Sequence, residues 1–197
     1  MPDRTPIEPW AKISLWAGYV YLLLILIFAE PVNVSPPITL LGIGLVFLGT
    51  TLRMVAASAS IKDEQFCTSG IYAITRNPHH FGSFLAAIGF VIIAGRTAWI
   101  FIPFLLFILM PIYYQMIRLE EEYLEKLLPN DFPGYRLHVP RFVPVWSELD
   151  TLTRVETKLD WPKLRENGEL WSAILLILTM ILTLAIHPTW VPWLPTR

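Results

Sequence analysis

Residues 81–117, FGSFLAAIGFVIIAGRTAWIFIPFLLFILMPIYYQMI, contain a single charge, Arg96. A hydrocarbon core about 30 Å thick takes roughly 17 to 25 helical residues. The stretch therefore reads as a membrane hairpin, residues 81–94 and 97–117, joined at Gly95-Arg96. The first arm is short for a full crossing, and Pro103 and Pro111 are expected to kink the second. Upstream, residues 13–29 carry no charge, and residues 38–59 carry only Arg53. Gly42, Gly44, Gly49 and Ala56-Ala57-Ser58 give the latter helix small surfaces for close packing. Downstream, residues 170–186 are again uncharged. The first apolar run exceeds a signal-peptide core of about 7 to 15 residues and lacks a small-x-small cleavage site, so it reads as retained.

Composition agrees. The 197 residues are 54% hydrophobic and 16% charged, with a mean hydropathy of +0.52. That is too apolar for one soluble globule and opposite to the balance that disorder requires. The lone Cys67 cannot close a bridge within the chain and reads as an inert thiol. A net charge of −1 offers no global basic field for nucleic acid. The expectation is an all-α polytopic transmembrane helix bundle of about five membrane segments, one integral membrane domain over residues 1–197.

Basic residues near helix ends stay on the cytoplasmic side. With the N-terminus inside, only Arg96 and Arg197 of the 15 Lys and Arg fall outside. Polar segments 60–80 and 118–169 then share the cytoplasmic face and can build one site beside the lipid, with the C-terminus opposite.

Along a helix running through Ile117, residues three and four apart share a face. Ile117, Glu121, Leu124 and Leu128 form one stripe, with Glu120 beside it, while Glu122, Glu125 and Lys126 point away. A carboxylate on an apolar face is costly unless it is paired or faces a polar cavity. Glu120 and Glu121 are thus candidates for holding a cation, or else a solvated acidic stretch at the interface. Arg118 has Glu121 and Glu122 within reach as local partners. In the other segment Pro78 fits a helix start, and Arg76, Asn77, His79 and His80 cluster there. Neighbouring histidines on a helix diverge and no further ligands complete a tetrahedron, so no metal is expected.

Gly70-Ile71-Tyr72, Arg76-Asn77-Pro78 with Gly82, Arg118-Leu119-Glu120-Glu121 with Leu124, then Phe132, Tyr135 and Val139-Pro140-Arg141-Phe142-Val143-Pro144 together resemble the isoprenylcysteine carboxyl methyltransferase family and its phospholipid methyltransferase relatives. The resemblance covers residues 53–144, a methyltransferase-like core. It leaves 145–197 as a charged linker plus an additional C-terminal transmembrane helix with an anchoring role. It implies S-adenosylmethionine bound in a cytoplasmic pocket and a lipid or lipidated acceptor arriving from the bilayer. Its Arg-His-Pro-x-Tyr-x-Gly is here Arg76-Asn77-Pro78-His79-His80-Phe81-Gly82, so Asn77 replaces the usual His and His80 the usual Tyr.

By that resemblance Tyr72, Arg76, Asn77, Pro78, His80, Glu120, Glu121 and Tyr135 would bind the cofactor. Arg141, Glu120 and His80 would be catalytic, Arg141 or Arg76 clamping a carboxylate and His80 or a buried glutamate serving as base. Two other readings stay open. An NADPH-dependent sterol-reductase-like enzyme shares the Arg-x-Pro-x-x-x-Gly wording, although Ser83 stands where Glu would be sought. A non-enzymatic lipid-binding membrane protein explains the helices but not Glu120, Glu121 and Arg141.

Overall fold

The computed structural model describes residues 5–30, 35–59, 68–145 and 159–186. Cys67 and the linker 146–158 lie outside them. Among the described residues the chain is helical, its one extended pairing a bridge between Glu30 and Gly95. The helices are α1 (Ile7–Phe28), α2 (Pro36–Ala59), the single turn α3 (Ile71–Ile74), α4 (Pro78–Ile93), α5 (Ala98–Phe104), α6 (Met110–Leu127), α7 (Phe132–His138), α8 (Trp161–Glu166) and α9 (Glu169–Ile186). Among the described residues three helical stretches are long and apolar enough to cross a membrane: α1, α2 and the continuous run Ala98–Leu127. Pro78–Ile93 and Glu169–Ala185 are shorter apolar helices.

Helices run past the charge-free stretches because propagation adds a hydrogen bond per residue whatever the side chain. Thus α1 starts at Ile7 and takes in Glu8 and Lys12, and α6 continues to Leu127 through the acidic run. Between Pro103 and Pro111 the backbone forms a π-helical turn, Leu105–Leu109, and Met110 N–H bonds the Leu105 carbonyl five residues back. This is the irregularity expected of the two prolines: Pro111 has no N–H to give, and the wider turn re-pairs the ladder around it.

The most extensive helix contact joins α2 to α4. Gly49 faces Gly82, and Gly42 faces Gly89, seven residues along each helix. A Cβ at Gly82 would come 2.6 Å from the Gly49 carbonyl oxygen, and one at Gly89 would come 2.6 Å from that of Gly42. Backbone thus meets backbone, which only glycine permits. Gly44, by contrast, faces open space. Beside this seam Tyr21, Ile25, Phe90, Ile93, Phe101 and Leu109 are buried together, and Tyr21 donates to the Ala87 carbonyl at 2.8 Å. Trp16, Leu23, Leu40, Trp99, Phe107 and Ile181 project outward, an apolar surface that lipid rather than water suits.

At one end, Gly95 (φ 60°) turns α4 toward α5, and Arg96 N–H reaches back to the Glu30 carbonyl at 2.9 Å. At the other end lie α3, α7 and the start of α4.

Candidate functional site

The two polar segments expected to share a face are laced together. Arg76 N–H donates to the Pro140 carbonyl (2.9 Å) and Val145 N–H to that of Ile74 (3.0 Å). The Thr75 hydroxyl donates to the Phe142 carbonyl at 3.0 Å, and Phe142 packs edge-on against Phe81 with ring centroids 5.6 Å apart. Asn77 caps α4 by position but not by side chain. Its Nδ2 instead donates to the Arg141 carbonyl at 2.8 Å and approaches Glu121 Oε1 at 3.4 Å.

Glu121 is the node of this knot. It is 5% exposed. Its Oε1 lies 3.1 Å from Arg76 Nη1, and its Oε2 accepts from Arg141 Nε at 3.0 Å and Nη2 at 2.8 Å. Two guanidiniums on one carboxylate offset the cost of burying it. Glu122 and Glu125 point away, as the helical periodicity requires, and pair at the surface with Arg118 (2.8 Å) and Arg136 (3.1 Å). Tyr135 donates to the Tyr72 carbonyl at 2.7 Å and so fixes α7 against α3.

Next to the knot is a cavity of about 770 Å³, within the range usual for small-molecule sites. Tyr72, Arg76, Asn77, Pro78, His80 and Glu120 line it; Glu121, Tyr135 and Arg141 do not, and instead hold the lining residues in place. Glu120 presents a 36% exposed side chain, its Oε2 3.8 Å from His80 Nδ1, beyond hydrogen-bond range. His80 stacks edge-on against Tyr113 at 5.8 Å. The Nε and Nη1 of Arg76 are buried without a hydrogen-bond partner among the described residues, Nη1 having only its ion-pair contact to Glu121. The pKa of Arg76 is pushed down by burial, against the pull of Glu121. An apolar arm of the cavity runs along Leu15, Gly18 and Leu22 of α1 and Leu175 and Leu176 of α9.

One group of lining residues escaped sequence reasoning. Arg53 of α2 grips Glu169 at the start of α9, Nε to Oε1 at 2.7 Å and Nη2 to Oε2 at 3.0 Å, and its Nη1 donates to Ser83 Oγ at 2.6 Å. His79 Nε2 lies 3.0 Å from Glu169 Oε2. The signal was present in Arg53, the lone charge of an apolar helix, since such a charge demands a partner. Glu169 went unnoticed because the uncharged run begins one residue later.

Residues 37–131 match the family model of phospholipid methyltransferases. Over this segment, just under half of the chain, the sequence is similar to that family. The chain is also 33% identical over 99 residues to the protein-S-isoprenylcysteine O-methyltransferase of Schizosaccharomyces pombe, a match covering 49% of this chain but only 40% of that protein. No solved structure matches the chain significantly. The segment matched by the family model contains Arg53, the Arg76–Gly82 motif, Glu120 and Glu121. The strap through Arg141 and all of α9, including Glu169, lie beyond it.

Proposed function

We propose that the chain is an S-adenosylmethionine-dependent membrane methyltransferase that acts on a lipid-like or prenylated acceptor by direct in-line transfer. The observation that carries this is the cavity itself. Its lining gathers the family-motif residues Tyr72, Arg76, Asn77, Pro78, His80 and Glu120 beside an apolar arm. The donor set suits the cofactor: Arg76 brings a buried N–H that lacks an acceptor among the described residues, as a carboxylate would supply. Glu120 brings a carboxylate that pairs with no arginine among the described residues, and Tyr72 and Tyr113 bring aromatic faces for a cationic centre.

When bound, S-adenosylmethionine supplies a methyl group on a sulfonium, a good leaving group. The chain's own residues then have to bind, orient and exclude water. Arg76 and Glu120 would fix the two charged ends, and the Glu121–Arg141 knot would keep Arg76 and Asn77 from rotating. Rigid positioning matters because transfer needs the acceptor atom about 3 to 3.5 Å from the methyl carbon, in line with the bond that breaks. The arm along Gly18 and Leu175 would take the acceptor's hydrocarbon part.

In this reading five segments, α1, α2, α4, α5–α6 and α9, occupy the membrane. The knot and the cavity's polar side face the cytoplasm, as does the N-terminus, and α9 returns the chain to the opposite side. The test is transfer of label from methyl-labelled S-adenosylmethionine to phosphatidylethanolamine or a farnesylated cysteine in nanodiscs. Incorporation into either supports the proposal. Binding of the cofactor's competitor NADPH with hydride transfer, and no methylation, would replace it with the reductase reading.

A further inference from the structure

Resting on the reading of the cavity as a methyl-transfer site, we propose that His79 is the base that takes a proton from the acceptor, with Glu169 as its positioning residue. His79 lines the cavity and keeps 37% of its side-chain surface accessible. Its Nε2 is 3.0 Å from Glu169 Oε2. A carboxylate gripped at both oxygens by the Arg53 guanidinium is an acceptor, so the proton in that bond belongs to Nε2. The neutral ring then carries its lone pair on Nδ1, which makes no hydrogen bond among the described residues. Backbone and side chain are both fixed, because Ser83 Oγ receives the third Arg53 contact and donates to the His79 carbonyl at 3.0 Å.

This is an oriented base, its Nε2 proton held by a buried carboxylate and its Nδ1 lone pair left for the acceptor. His80 has no such support: its contact to Glu120 is 3.8 Å, and its side chain is 11% exposed. A purely structural ion pair between Arg53 and Glu169 would need no histidine at its open edge.

The step balances with an acceptor that carries a proton, such as an ammonium. Nδ1 removes that proton. The freed lone pair on the acceptor forms the bond to the methyl carbon, and the methyl–sulfur bond breaks with its electron pair left on the sulfonium donor's sulfur. The proton leaves from the imidazolium to water. A carboxylate acceptor is already ionised near neutral pH and would not use His79.

The groups facing His79 are Arg53 from α2, Glu169 from α9 and His80 on α4, with Tyr113 of α6 against His80. The test uses the full chain in nanodiscs with S-adenosylmethionine and phosphatidylethanolamine, and reads three quantities in wild type, His79→Gln and Glu169→Gln. His79→Gln should bind S-adenosylmethionine within about threefold of wild type in calorimetry, yet lose about 100-fold or more in single-turnover methylation at neutral pH. The deficit should narrow toward about pH 9.5, where the amine sheds its own proton. Nitrogen-15 spectra of labelled histidine should show His79 protonated at Nε2 and free at Nδ1, with that preference lost in Glu169→Gln. Because the spectrum needs no turnover, it decides the geometry even where Glu169→Gln is unstable. Unchanged methylation in His79→Gln, cofactor binding and methylation lost in equal measure, or an Nδ1-protonated ring would each overturn the assignment. Failure of the wild type to bind S-adenosylmethionine would instead overturn the methyltransferase reading on which it rests.

Discussion

Arg141 holds the Glu121 carboxylate through two nitrogens, Nε at 3.0 Å and Nη2 at 2.8 Å. The two residues come from opposite sides of α7, so this pair closes the strap 139–145 over the start of α4. Expected at the outset to bind the cofactor and to do chemistry, they spend their charge on each other and on Arg76, and they would act on the cavity by holding its wall.

Glu121→Gln and Glu120→Gln should therefore fail differently. Breaking a buried carboxylate away from its guanidiniums typically costs about 3 to 5 kcal/mol, so Glu121→Gln should lower the melting temperature of the detergent-solubilised protein and cut turnover more than tenfold. Glu120→Gln should melt like wild type and lose turnover through cofactor affinity. Glu125→Gln, whose ion pair is the exposed one with Arg136, should change neither by more than about twofold. Equal melting of the Glu120 and Glu121 variants would contradict the division of labour.

The glycine seam predicts a contrast within one helix. Gly49→Ala would drive its Cβ into the backbone of Gly82 and Ala86, whereas a Cβ at Gly44 meets nothing within 4 Å. Overpacking of this kind costs about 1 to 3 kcal/mol. Gly49→Ala should show a clear loss of thermal stability and Gly44→Ala none, in the same detergent.

Gly18 tests the apolar arm. It lines the cavity, and a Cβ there meets nothing within 4 Å, so Gly18→Leu should extend into the cavity without clashing at its root. The expected outcome is unchanged S-adenosylmethionine binding with a raised KM for long-chain acceptors and little effect on short ones. Equal effects on both would mean that the acceptor lies elsewhere.

Truncation after Val145 removes Glu169, the carboxylate that pairs with Arg53 among the described residues. The shortened chain should insert poorly or lose turnover, and adding Arg53→Met should restore part of its stability, since an apolar replacement relieves an uncompensated charge. Full stability and turnover after truncation would make α9 a mere anchor, the role its sequence suggested.

Much of this architecture was legible in the chain because membrane helices announce themselves by what they lack. The 81–117 hairpin, the turn at Gly95 and the burial of Glu121 all follow from charge spacing and a 3.6-residue period. Three features were not legible. The first helix overran its apolar stretch, taking in Lys12, since hydropathy marks the lipid rather than the backbone. Partners distant in sequence, Arg53 with Glu169 and Asn77 with the Arg141 carbonyl, depend on tertiary packing that no local pattern encodes. The packing role of the motif glycine Gly82 was likewise hidden: a Cβ there would run into Gly49 and Arg53 of α2.

The central claim is that this cavity binds a sulfonium methyl donor. Calorimetric titration of the purified wild-type protein with S-adenosylmethionine, with NADPH in parallel and Glu120→Gln as control, tests it most directly. Saturable binding of S-adenosylmethionine, weakened at least tenfold in the Glu120→Gln variant and absent for NADPH, is the predicted result. Binding of NADPH alone, or S-adenosylmethionine affinity indifferent to Glu120, would contradict it.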